Sequence, residues 1–151
     1  GLFGAMFVAA LGALIPVMPD LDAALDAALT EIPKNSSAAA AVRFGRSLAG
    51  SDDAVARLRA EYEGLPPVHT LNNLALVTWA LCSASGDFSA AIGNAVSLGG
   101  DSDTMGCIAG GIAQAHYGRI PQSIIESVRQ RLPEAFIQVV DQFHAAFDVL
   151  F

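Results

Sequence analysis

Gly99-Gly100-Asp101-Ser102-Asp103-Thr104-Met105-Gly106-Cys107-Ile108-Ala109-Gly110-Gly111-Ile112-Ala113-Gln114-Ala115-His116-Tyr117-Gly118 is the stretch from which the fold is read. Two glycines make a flexible joint, an acidic string follows, and Met105 to Tyr117 reads as a helix of small residues closed by Gly118. Gly106, Gly110 and Ala113 recur three or four apart and so share one helical face. Missing or short side chains on that face let the backbone of a neighbouring helix approach closely. A strand would need alternation with period two, and neither this stretch nor any other shows it.

Upstream, the same helical grammar repeats. Phe88 to Ser97 forms a short helix after the Gly86-Asp87 punctuation, and Thr70 to Ala84 carries Leu71, Leu74, Val77, Trp79 and Leu81. Gly64-Leu65-Pro66-Pro67 is the clearest break. Before it, Ser51-Asp52-Asp53 opens a helix running to about Tyr62, and Asn35 or Ser36 caps one running to Leu48. Asp20 to Ile32 places Leu21, Leu25, Leu29 and Ile32 along one face, and Leu2 to Ile15 is a helix of large and small apolar residues. Downstream, Pro121 suits the first turn of a helix, where its missing N–H costs nothing. Pro133 ends that helix, and Glu134 to Phe151 is amphipathic through Phe136, Val140, Phe143, Phe147 and Leu150. The expected architecture is all-α, one domain or a piece of one.

Composition narrows the function. Of 151 residues 53% are hydrophobic and 15% charged, which excludes a disordered linker. Ala (28) and Gly (14) dominate the apolar set, again favouring closely packed helices. A net charge of −7 argues against a nucleic-acid partner, which needs a basic face to displace counterions. Cys82 and Cys107 have neither CxxC spacing nor paired histidines, so they read as buried free thiols, consistent with a cytoplasmic protein. Gly1 to Pro19 is uncharged, but it lacks the basic region of a signal peptide. It also carries Pro16 and Pro19 and falls short of the roughly 20 apolar residues of a membrane span. The expectation is a buried helix at the cut end of a longer protein, with no membrane association.

The string Asp101-Ser102-Asp103-Thr104 departs from packing needs. Two carboxylates two residues apart repel unless a cation or several donors compensate. Capping of the next helix would employ one of them; two carboxylates and a hydroxyl suit a hard, oxygen-seeking cation such as magnesium or calcium. Local chemistry leaves capping and ligation equally open. A calcium EF-hand fails, because its fifth position is Met105 and its twelfth, which must be a chelating Glu, is Ile112. A dinucleotide fingerprint fails for want of GxGxxG after a strand.

Leu98-Gly99-Gly100-Asp101-Ser102-Asp103-Thr104, then Ile108-Ala109-Gly110-Gly111-Ile112-Ala113, Tyr117-Gly118 and Ile120-Pro121, resembles the C-terminal signature of the ADP-ribosylglycohydrolase family. Ala5 to Ala10, Ile32-Pro33 with Asn35-Ser36, and Val68-His69-Thr70-Leu71-Asn72-Asn73 extend the resemblance over most of the chain. Ser102 replaces the usual Thr, a mild change. The resemblance implies an all-α domain of which this chain, residues 1–151, is the C-terminal half. It implies that Asp101, Asp103 and Thr104 coordinate a pair of magnesium ions, Asp103 bridging them. The remaining ligands in the family come from an N-terminal Thr-Asp-Asp motif, with a Glu nearby for acid–base work. This chain has no such motif, since Asp52-Asp53 follow Ser51 at an ordinary helix start.

Gly99, Gly100 and Ser102 in the motif, with His69 and Asn72 after the Pro66-Pro67 break, are the candidates for substrate contact. For His69, Asn72 and Asn73 the alternative is capping of the helix that begins near Thr70. His116, His144 and Trp79 read as packing or surface residues, and Arg43, Arg46, Arg57 and Arg59 as solvated helix charges. The activity implied is magnesium-dependent removal of ADP-ribose from a modified protein or a small conjugate, with the missing N-terminal half as a partner. The rival is a non-catalytic family member serving as a structural or ligand-binding module.

Overall fold

The computed structural model describes residues 1–147, and these form nine α-helices and no strand. They are α1 (Leu2–Leu14), α2 (Leu21–Thr30), α3 (Ser37–Ser47), α4 (Ala54–Glu61), α5 (Thr70–Ser83), α6 (Phe88–Ser97), α7 (Ser102–Tyr117), α8 (Gln122–Arg129) and α9 (Glu134–Phe147). The all-α expectation is met. Helix starts follow side-chain chemistry: Asp20, Ser36 and Asp87 each accept the backbone N–H three residues on, at 3.0, 3.2 and 2.9 Å. The main shift in boundary is at α7, which begins at Ser102 and so takes three of the four residues of the acidic string into its first turn.

The chain divides into two compact units, Gly1–Tyr117 and the segment from Gly118 onward. In the first, α5 is the hub, packed against α1, α3, α4, α6 and α7. Every residue from Asn73 to Leu81 is buried, which marks a helix covered on all sides. On the α3 side the two backbones touch, since a Cβ added to Gly45 would lie 2.0 Å from the Ala75 carbonyl oxygen. No side chain fits there, so glycine is obligatory. On the far side of α7, Gly106 and Gly110 face Val96 and Ile92 of α6, the neighbour that their spacing anticipates.

Two expectations change. Helix α1 buries one stripe, Gly4, Phe7 and Leu11, while Leu2, Phe3 and Met6 are exposed. The thiols are free, but Cys82 is half-buried and Cys107 exposed. The buried face of α7 is Met105, Ala109, Ile112 and Ala113, and position 107 is about 200° round the helix from 105. In the second unit, α8 and α9 contain no buried residue. Phe136, Val140, Phe143 and Phe147 are exposed, and Leu150 lies outside the described residues. The Arg129 guanidinium joins the two helices, donating to both Asp141 carboxylate oxygens at 2.9 and 2.8 Å. Among the described residues no helix is long and apolar enough to cross a membrane.

Candidate functional site

The acidic string lies where α5 and α7 meet. Gly99 and Gly100, with φ of +75° and +78°, turn the chain out of α6 through a left-handed conformation open to glycine. Asp101 then takes the N-cap position of α7, its carbonyl accepting the Met105 N–H at 3.0 Å. Its carboxylate engages another helix. Asn73 Nδ2, 28 residues upstream on α5, donates to Asp101 Oδ2 at 2.9 Å. Capping of its own helix therefore does not account for this side chain.

Asp103 behaves differently. It is exposed, and its carboxylate accepts the N–H of Thr104 and its own N–H, with the Asp101 carboxyl alongside; together these hold it below the usual carboxylate range. An anion is favoured at that position by the helix dipole as well.

Asp101 and Thr104 open onto a cavity of about 490 Å³ walled by Phe7 and Leu11 of α1, Leu74 and Val77 of α5, and Ile108 and Ile112 of α7. Asn73 lines the same cavity, whereas Asp103 does not. Of the three expected metal ligands, two therefore share a cavity, and the third is exposed and outside its lining.

The substrate candidates separate from this group. His69 is the N-cap residue of α5, with Nδ1 accepting the Leu71 N–H at 3.3 Å. Asn72 Nδ2 donates to the Pro67 carbonyl at 3.4 Å. Asn72, Gly99 and Gly100 line a smaller cavity of about 250 Å³ with Arg59 and Tyr62, whose phenol is pushed up to about 12 by burial. Ser102 is half-buried in the first turn of α7. Asn73, not its neighbour Asn72, is the residue that reaches the acid. A signal for it exists in the sequence: Asn73 stands four and eight residues before Val77 and Leu81, in their helical phase, and so is a polar residue in an apolar stripe. Arg46, by contrast, is occupied elsewhere, pairing with Asp22 at 2.9 Å and with Asp26.

The donor set tests whether magnesium suits the place. Two carboxylates and a hydroxyl offer oxygen alone, as this hard cation prefers. Asn73 Oδ1 is buried without a hydrogen-bond partner among the described residues. Yet no three His, Cys, Asp or Glu side chains gather among the described residues, while an octahedral shell takes about six oxygens. The residues fit one side of a magnesium site.

A family profile described as ADP-ribosylglycohydrolase matches residues 1–149. The chain belongs to the ADP-ribosylglycohydrolase family. No curated protein and no solved structure matches it. Within the family assignment, the glycine joint, the acidic string and the small-residue helix that carry the resemblance are contiguous in space and form one end of the α5–α7 contact.

Proposed function

We propose that this chain supplies one side of a magnesium-dependent ADP-ribosyl hydrolase site, the other side coming from a polypeptide segment outside this sequence. The observation that supports it is the Asp101 carboxylate, drawn off its own helix cap by a buried amide and set beside Thr104 at the polar end of an apolar cavity. Asp101, Asp103 and Thr104 would hold the cation. Bound magnesium supplies positive charge to orient hydroxyl oxygens and to steady negative charge that builds on oxygen. The two aspartates keep the place anionic, and the aliphatic wall formed by α1, α5 and α7 keeps water from one flank of a bound ligand. The ligand would be ADP-ribose joined to a protein side chain or to a small acceptor.

Hydrolysis of that bond needs a water to lose a proton and the acceptor to gain one. Asp101 is the one carboxylate lining the cavity among the described residues, and as a ligand it is unavailable for proton transfer. Lack of a positioned acid or base costs about two to four orders of magnitude in rate. The isolated chain is therefore expected to release no ADP-ribose from a modified protein in magnesium, and to do so once mixed with an N-terminal segment that supplies Thr-Asp-Asp and Glu. Turnover by the isolated chain that disappears in Asp103→Ala would overturn the split-site reading.

A second reading, a ligand-binding module without turnover, draws on the absence of a third acidic or histidine ligand among the described residues. It predicts that ADP-ribose binds to the mixture but no linkage is cleaved.

A further inference from the structure

Asn73 is 7% exposed, in a helix whose next eight residues are also buried and, Thr78 apart, apolar. An amide in such surroundings is retained at a cost unless its polar atoms are paired. Its pairing is specific. A carboxylate has acceptors alone, so the NH2 end must face Asp101, and the bond at 2.9 Å spans from α5 to the head of α7. Packing between these helices does not require it, because Leu74, Val77, Ile108 and Ile112 already supply apolar surface around the same cavity. The other end of the amide, Oδ1, is buried without a partner among the described residues. Asn72, one position away, spends its amide on the Pro67 loop carbonyl.

We infer that Asn73 is the positioning residue of this site: its amide grips one oxygen of Asp101 and so turns the other toward the cavity for a divalent cation. The inference rests on the magnesium reading above and adds to it a residue that touches no cation. Without the grip, the carboxylate of a residue following two glycines is free to swing toward Asp103 or solvent. Loss of such outer partners typically weakens metal affinity about 10–100-fold.

The test uses the full chain mixed with the N-terminal segment that supplies Thr-Asp-Asp and Glu, and Mn²⁺, with free Mn²⁺ measured by electron paramagnetic resonance. Asp101→Ala is expected to weaken binding, Asn73→Leu to weaken it about tenfold or more, and the double variant to bind no more weakly than Asp101→Ala alone. A second measurement needs no change at Asn73. In metal-free protein, the NMR signals of the Asn73 side-chain NH2 should shift when Asp101 becomes Ala.

The outcomes separate the two claims. If the mixture with the wild-type chain does not bind Mn²⁺, or Asp101→Ala leaves its affinity unchanged, the magnesium reading falls and this inference falls with it. If Asp101→Ala weakens binding while Asn73→Leu does not, or if the two losses multiply, the magnesium reading stands and the role of Asn73 is overturned. Unmoved Asn73 NH2 signals in Asp101→Ala overturn that role as well, even where Asn73→Leu fails to fold.

Discussion

Helices α5 and α7 meet at the candidate site and are built in opposite ways. Helix α5 is covered on all sides, and on its α3 face the contact is backbone to backbone at Gly45. Helix α7 buries four residues on one face, meets α6 through side-chain tips, and leaves Asp103, Thr104 and Cys107 exposed. The fixed helix holds the amide and the exposed helix holds the acids. A site that must admit substrate from solvent can be mobile or open on one side only if the other side is anchored, and here the anchor is α5.

The contrast breaks most severely at Gly45. In Gly45→Ala the new methyl meets the Ala75 carbonyl, a backbone atom with no rotamer to move. The gain in helix propensity is about 1 kcal/mol, and the clash exceeds it. The expected net loss is about 3 kcal/mol or more, at the upper end of overpacking costs, read as a lower urea midpoint or as failure to fold. An unchanged midpoint would mean that α3 and α5 are not in backbone contact.

Gly110 sharpens the same contrast from the α6 side. A Cβ there would be 3.2 Å from Ile92 Cδ1, the far end of a flexible side chain. Gly110→Ala should therefore be nearly neutral, the propensity gain offsetting a small adjustment. Gly110→Leu should cost more than about 2 kcal/mol, because a whole side chain cannot fit the gap. Equal urea midpoints for the two variants would make α7 peripheral to α6.

Much of this was legible in residue order. Caps at Asp20, Ser36 and Asp87, the glycine face of α7 and the acidic string all rest on local rules, and local rules survive folding. What escaped depends on which sides of a helix are covered. Cys107 reads as buried because its neighbours are apolar, but a helix that packs on α5 and α6 has a third face, and composition does not say which residue falls there. Asn72 and Asn73 are chemically identical, and a turn of about 100° sends one to a loop carbonyl and the other to Asp101; helical phase marks Asn73 as the inward one, but only the position of α7 supplies its partner.

The two cysteines give a smaller and more direct comparison, one on each helix. Burial pushes the Cys82 thiol up to about 11, with Asp22 adding to the rise and Arg46 opposing it, whereas Cys107 is exposed on α7. The thiolate is the nucleophile, and a rise of about two pKa units leaves roughly a hundredfold less of it near neutral pH. An aromatic disulfide reagent should label Cys107 first, with Cys82 following slowly and catching up in denaturant. Simultaneous labelling of the native chain would mean that α5 is not the enclosed helix described above.

The smallest effect is at the head of α7. Asp103 is fully exposed, and the N–H of Thr104, its own N–H and the neighbouring Asp101 lower its pKa from the ordinary 3.8. A carboxylate whose pKa is depressed on folding stabilises the folded state above its unfolded pKa, and that contribution disappears as pH falls through the folded pKa. In EDTA, wild type should thus exceed Asp103→Ala in urea midpoint by a small margin at about pH 6, the range in which this carboxylate is ionised in both states. The margin should shrink below about pH 4, and the charge contribution to it should vanish once the pH is under the lowered value. What remains there is the difference in helix propensity, which favours Ala. The Gly45→Ala loss involves no titrating group and should hold constant over the same range. A margin for Asp103 that is equally constant would mean that its charge does not bind to the helix head, and α7 would then lose the electrostatic feature that sets it apart from α5.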